Sequence, residues 1–215
     1  MLFRSAVVYG NLSAPLLSEK MWGSVDALGA NGGLEEGLRG LETLLLTYRQ
    51  SQGIDVRIAR MFDIYGSDTS TATDISLWIN QARNNKPLTL TDNPEAQCAY
   101  LYEDDFVDAL LKYIQKSPEE CTAFFEFHDF LIPVLNIGSP EVVSVRQVAE
   151  TIRSLVPGCT SEIVVDGTHG NKTVHRCADI RWAQEFLDWT PAVSLHDGLA
   201  RFISRWKQNV TADRT

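Results

Sequence analysis

Residues 34–62 read LEEGLRGLETLLLTYRQSQGIDVRIARMF, and this stretch decides the architecture. Leu34, Leu38, Leu41, Leu45 and Tyr48 recur every three or four residues, the period of one helix face. Gly53 follows the last periodic turn, where a residue free to adopt positive φ can end a helix. Ile54 to Phe62 then reads as a strand. On the other side, Leu2 to Tyr9 reads as a buried strand that stops at Gly10-Asn11. Residues 11–33 between strand and helix are loop-like, with Pro15 and glycines at 23, 29, 32 and 33. Strand, crossover helix and strand make one βαβ unit, which requires parallel pairing. The expected class is α/β with a parallel sheet.

Beyond residue 66 the elements become shorter and mixed. A helix is expected over 74–85, ending in Asn84-Asn85-Lys86-Pro87. Short strands follow at Leu88–Leu90 and Tyr100–Tyr102, with a turn at Asp92-Asn93-Pro94 between them. Glu103-Asp104-Asp105 opens a helix to Lys116, the acidic start suiting the positive end of the helix dipole. Phe124 to Phe130 is an aromatic run that periodicity assigns to no element. Val134–Ile137 and Ile163–Val165 read as strands. Ser144–Leu155 reads as a helix with Ser144 as cap and Gln147 three residues on. Further helices are expected at Asp179–Leu187 and Ser194–Gln208. The chain thus divides into a segment 1–66 and a mixed α/β lobe 67–215.

Composition excludes some classes. A formal net charge of -9 and the lack of any basic run exclude a nucleic-acid binder, which needs cations to displace counterions from phosphate. No apolar run approaches the length of a membrane span. Cys98, Cys121, Cys159 and Cys177 form no C-x-x-C pair, and no histidine stands at ligand spacing from them, as expected of reduced thiols in a cytoplasmic protein. A mitochondrial address is left open. Asn11-Leu12-Ser13, Asn171-Lys172-Thr173 and Asn209-Val210-Thr211 match the glycosylation pattern without a signal peptide to give it meaning. His128, His169, His175 and His196 show no metal-binding spacing, so no metal is expected. Glu35, Glu36, Asp104 and Asp105 are neighbours in pairs. Adjacent helix positions point apart, so a solvated face is expected of them.

Val8-Tyr9-Gly10, Trp22-Gly23 and Leu34-Glu35-Glu36-Gly37-Leu38-Arg39 resemble the V-Y-G, W-G-x-V and Y-D-E-G-K-R of extended short-chain dehydrogenases/reductases, closest to UDP-glucuronate decarboxylases. Ala59-Arg60-Met61-Phe62-Asp63-Ile64-Tyr65-Gly66 is similar to A-R-I-F-N-x-Y-G, and Tyr102-Glu103-Asp104-Asp105 to Y-V-D-D. Ala178-Asp179-Ile180, Leu187-Asp188-Trp189-Thr190-Pro191 and Leu195-His196-Asp197-Gly198-Leu199 continue the likeness in the same order. The resemblance implies the later part of a Rossmann-like sheet with a small α/β substrate-type lobe, beginning near the fifth strand. The family's glycine-rich dinucleotide turn has no counterpart here, so NAD, the family's cofactor, is not expected.

The resemblance also implies what is lost. The family's catalytic Tyr falls on Leu34 and its Lys, one helical turn on, on Leu38. The additional Glu of the decarboxylases falls on Val7, and the Ser/Thr that meets the substrate oxygen is retained as a vestigial Ser5. Three polar functions have become apolar together, which suggests a site closed by packing. In the substrate pocket the Asn becomes Asp63 and a diphosphate-binding Arg becomes Cys98. Arg176 falls on another phosphate-binding Arg, and the backbone of Leu88, Thr89 and Leu90 lines the uracil position. The function expected is that of an inactive structural or regulatory subunit. The alternatives are an enzyme part completed by a partner chain and a UDP-sugar-binding module. The family also forms its dimer through the helix at 34–52. A partner chain or second copy is therefore expected over that helix and the edge of Leu2–Tyr9.

Overall fold

A computed structural model describes residues 2–12, 14–66, 73–90, 93–130, 132–165 and 176–212, without the side chains of 2–4 and 206–212. Ser13, Asp92, His169, His175 and the 171–173 glycosylation pattern lie outside the described residues.

The central sheet is parallel, in the order β1 (Leu2–Ser5), β2 (Ile58–Met61), β7 (Val134–Ile137). Leu2 pairs with Ile58, and Ile58 with Val134. The crossover from β1 to β2 is α1 (Gly32–Gln52), closed by Gly53 at φ 65°, whose N–H reaches the Arg49 carbonyl. The expected βαβ unit is therefore present.

Two strand boundaries in this unit differ from expectation by several residues. The strand from Leu2 ends at Ser5, because the Ser5 hydroxyl accepts the Val7 N–H and caps a short 3₁₀ helix over Ala6–Tyr9. The second strand begins at Ile58 rather than Ile54. Arg57 chelates Asp55 two residues back and donates to the carbonyls of Tyr113 and Ile114, which holds the approach to the strand out of the ladder.

The remaining strands form small pairs. β3 (Ile64–Tyr65) runs parallel to β6 (Leu101–Tyr102), and β4 (Leu88–Leu90) parallel to β9 (Ile163–Val165). β5 (Gln97–Cys98) is antiparallel to β8 (Val143–Ser144). Around them lie α2 (Asp74–Arg83), α3 (Glu103–Gln115), α4 (Pro118–Phe127), α5 (Val145–Leu155), α6 (Arg181–Leu187) and α7 (Leu195–Ala212). Among the described residues no helix is long and apolar enough to cross a membrane.

Two main cores result. The first joins the parallel sheet to α3, α4 and α6 through Tyr9, Ala59, Phe62, Tyr113, Phe125, Leu135 and Trp189. Here the unassigned aromatic run finds its place, as the end of α4. Phe124 stacks on Phe186 at 4.5 Å, and Phe125 meets Trp182 edge-on. The second core joins α2, α5 and α7 to β4 through Trp78, Ile79, Leu88, Leu90, Val148, Ile152 and Phe202.

α5 is entered through a full capping box. Ser144 Oγ accepts the Gln147 N–H at 3.2 Å, and Gln147 Oε1 accepts the Ser144 N–H at 2.7 Å. Ser144→Ala should cost about 1 kcal/mol in chemical denaturation. A change below a few tenths would mean that water replaces the cap fully.

Most of the periodic α1 face is exposed in this chain. Leu34, Leu44 and Tyr48 are 59%, 50% and 49% exposed, and Leu41 is also exposed. Leu38 and Leu45 alone of the periodic set pack against buried neighbours. The helix is anchored instead by charged groups on its inner side, Glu35 and Glu42.

Candidate functional site

The first turn of α1, the chain after β2 and the strand of residues before α6 converge on one recess. Glu35, in that first turn, is buried and lies 3.6 Å from the Arg176 guanidinium. Arg176 also donates from Nε and a terminal nitrogen to the Gly10 carbonyl, at 3.1 and 2.8 Å. Its cation is thus engaged by this chain's own backbone and carboxylate. Gly10, at φ 57°, has its Cα against the Ser24 carbonyl, where no side chain would fit.

Asp63 is exposed at the surface, and many protein atoms nonetheless surround its carboxyl. Loss of hydration raises its carboxyl to about 6, with Arg176 lowering it and Asp74 raising it. Cys98 is fully buried, its thiol 3.4 Å from the Val143 carbonyl and pushed up to about 12 by burial. Cys177 is raised for the same reason, with Asp63 adding to it. Both thiols stay protonated near neutrality and are poor nucleophiles. The structure therefore brings Asp63, Arg176 and Cys98 into one electrostatic neighbourhood, joined by Glu35, Asp74 and Cys177.

The other sequence-derived positions fall elsewhere or offer little chemistry. Leu88 and Leu90 belong to the second core. Thr89 has its N–H on Gln81 Oε1 and its carbonyl on Trp78 Nε1, so both backbone groups are already engaged. Ser5 caps the 3₁₀ turn, and Val7 is half-buried within it. Leu38 packs against the first core. Leu34 is more than half exposed, so packing does not close the site around it, contrary to expectation.

The expectation of four solvated carboxylates also needs correction. Glu36 and Asp104 are exposed, but Glu35 pairs with Arg176 and Asp105 is buried, accepting the N–H groups of Ala192 and Val193. A backbone that turns toward a helix flank can be tied there only by a buried acceptor, which residue spacing does not reveal. Among the described residues no three His, Cys, Asp or Glu side chains cluster as metal ligands.

Behind the sheet lies a buried polar chain that sequence reading missed. Arg60 and Glu42 form a two-point ion pair at 3.1 and 2.8 Å. Arg60 also donates to Tyr9 Oη at 2.8 Å, and Tyr9 Oη donates to Asn136 Oδ1 at 2.7 Å. Asn136 gives its backbone N–H to Glu19 Oε1 and its amide to the carbonyls of Leu17 and Asp179. Burial pushes the Glu19 carboxyl up to about 7 and the Tyr9 hydroxyl up to about 12. The available signal was Arg60 and Asn136 inside otherwise apolar strands, since a polar residue there must find partners.

The sequence carries no glycine-rich dinucleotide turn. The loop before α1 folds onto the helix entry, so a Cβ at Gly32 would lie 2.5 Å from the Ala27 carbonyl oxygen. The Gly32 and Glu35 N–H groups are spent on the carbonyls of Gly29 and Asn31.

The NAD dependent epimerase/dehydratase family model matches residues 39–123. UDP-glucuronic acid decarboxylase 5 of Arabidopsis thaliana is 30% identical over 201 residues, covering 93% of this chain and 55% of that protein. UDP-glucuronic acid decarboxylase 1 of Xenopus tropicalis is 29% identical, covering 98% of this chain and 47% of its own length. The chain spans about half the length of the curated relatives it matches. The crystal structure of UDP-glucuronic acid 4-epimerase from Bacillus cereus, in complex with UDP-glucuronic acid and NAD, superposes with a TM-score of 0.79 at 22% identity. That match covers 96% of this chain and 60% of the epimerase. It establishes a shared Rossmann-like α/β fold. By sequence and by fold together, the chain is related to the NAD-dependent epimerase/dehydratase family.

Proposed function

We propose that this chain is a catalytically inactive relative of the nucleotide-sugar decarboxylases and epimerases, acting as a structural or regulatory subunit of a larger assembly. One observation carries the reading. Positions 34 and 38 of α1, to which the resemblance assigns the proton-handling pair, bear two leucines that can neither ionise nor hydrogen-bond. The recess supports it, because Arg176 is held by Gly10 and Glu35, and Asp63 and Asp74 would repel a diphosphate. The 67–215 part is read as carrying retained substrate-lobe elements, α2, α5, α7 and β4 around the second core.

Exposed apolar surface supports the subunit role. β1 is an edge strand, pairing with β2 among the described residues. Leu34, Leu41 and Tyr48 share one exposed flank of α1, while Val107, Leu111 and Ile114, each about half exposed, share a face of α3. A partner chain or a second copy covering β1 and α1 would bury the first of these stripes.

Incubation of the purified chain with UDP-glucuronate and NAD should release no carbon dioxide above the protein-free rate. Calorimetric titration with UDP should give no saturable heat. Turnover at an ordinary enzymatic rate would overturn the inactive reading. Tight UDP binding without turnover would favour a sugar-nucleotide-binding module instead.

A further inference from the structure

Between α1 and the faces of β2 and β7 lies a cavity of about 550 Å³, within the size range of small-molecule sites. Its walls are apolar: Leu46 from α1, Ile58 and Val134 from the sheet, Met21 from the loop, and Phe130 and Ile132 beyond α4. Phe130 and Ile132 follow the point at residue 123 where the family model stops matching. The aromatic run therefore also supplies an outer wall of this cavity. Trp22 stands against it with 84% of its surface exposed, an unusual expenditure of a large ring.

Polar groups reach the cavity at two places. Glu36 and Arg39 pair at 3.7 Å at the exposed side. Arg60 and Glu42 pair inside, with side chains 11% and 13% exposed. The Arg60 guanidinium has five N–H donors. Two go to Glu42, one to Tyr9 Oη and one to the Glu19 carbonyl, which leaves one without a partner among the described residues; Arg60 itself lines the cavity. Both arginines are matched by a carboxylate, and Glu19 and Asp129 add further acidic groups. Among the described residues that line it, an anionic ligand would find no unmatched cation.

We propose that this cavity binds a neutral, mostly apolar ring compound carrying one hydrogen-bond acceptor. The ring packs between Phe130 and the Ile58–Val134 face, and the acceptor takes the spare Arg60 N–H. The site is independent of the subunit reading. Cavity-lining positions 36, 39, 40, 43 and 46 lie on the flank of α1 away from Leu34, Leu41 and Tyr48, so a partner on that stripe leaves the cavity open.

Gly40 gives a clean test. It lines the cavity, and a Cβ built there meets nothing within 4 Å. Gly40→Leu should fill the space without straining the fold. Gly37 is equally open but does not line the cavity, so Gly37→Leu is the control. Nile red, neutral and planar with a carbonyl acceptor, is titrated into the full chain and followed by fluorescence. Saturable one-to-one binding is expected, weakened about tenfold or more by Gly40→Leu and left within about twofold by Gly37→Leu. Both variants should melt no lower than the parent, since glycine is the poorer helix former. Anilinonaphthalene sulfonate, apolar but anionic, should bind at least about tenfold more weakly than Nile red. Unchanged binding in Gly40→Leu, loss of binding in Leu44→Lys on the outer face, or equal affinity for the anionic dye would each overturn the proposal.

Discussion

Replacing Arg60 with methionine should lower the unfolding free energy by roughly 3–5 kcal/mol, the loss typical of breaking a buried ion pair from one side. The reason is what remains behind. Glu42, 13% exposed, would lose both of its Arg60 hydrogen bonds. Tyr9 Oη would lose its donor at 2.8 Å, and its ring would lose the guanidinium lying 4.9 Å from the centroid. The cavity left beside Ile58 is small, because methionine follows much of the arginine stem. Arg60→Met combined with Glu42→Leu should recover most of the loss, since removing both charges together removes the desolvation cost of each. Urea denaturation at pH 7 of the two single variants and the double variant closes the cycle. A single-variant loss below about 1 kcal/mol would mean that water reaches Glu42 freely, and the buried-pair account would fail.

The elements with local signals were legible in the sequence. Gly53 ended α1 and Ser144 began α5 because both act through their own backbone or a hydroxyl within one turn. β2 and β7 were legible as apolar runs. What could not be read was the partner of each polar residue. The spacing that places Leu34, Leu41 and Tyr48 on one helix face says nothing about whether that face meets protein, and here it meets solvent. Glu35 looked like half of a solvated pair until Arg176, far along the chain, closed on it. Arg60, Tyr9, Asn136 and Glu19 come from widely separated segments. Their network exists only once the three strands are in register. In the recess, Asp63 and Arg176 were legible through family likeness. The hold of Gly10 on the arginine was not, because it depends on a positive-φ turn bringing a carbonyl to face it.

The network's far end makes stability depend on pH in a predictable sense. Glu19 is 4% exposed, and its carboxyl titrates near 7 in the fold against an ordinary value of 4.5. Burial is the main cause. The Asn136 N–H opposes it, Asp179 adds to it and Arg60 relieves it. Below pH 4.5 the group is protonated whether the chain is folded or not, so it contributes no slope. Between 4.5 and 7 the unfolded chain releases this proton while the folded chain keeps it, and stability falls as pH rises. Above 7 the loss is complete, at roughly 3–3.5 kcal/mol for a shift of this size. Glu19→Gln keeps an oxygen for the Asn136 N–H and cannot ionise. The variant should therefore be more stable than the parent by that amount at pH 8 and close to it at pH 4. Asp63, whose carboxyl is also raised, to about 6, contributes a slope of the same sign. It does so equally in both proteins, so the difference between their denaturation curves across pH isolates Glu19. A difference that stays constant from pH 4 to 8 would show that Glu19 titrates alike in the folded and unfolded chain and is reached by water. The buried network would then end at Asn136.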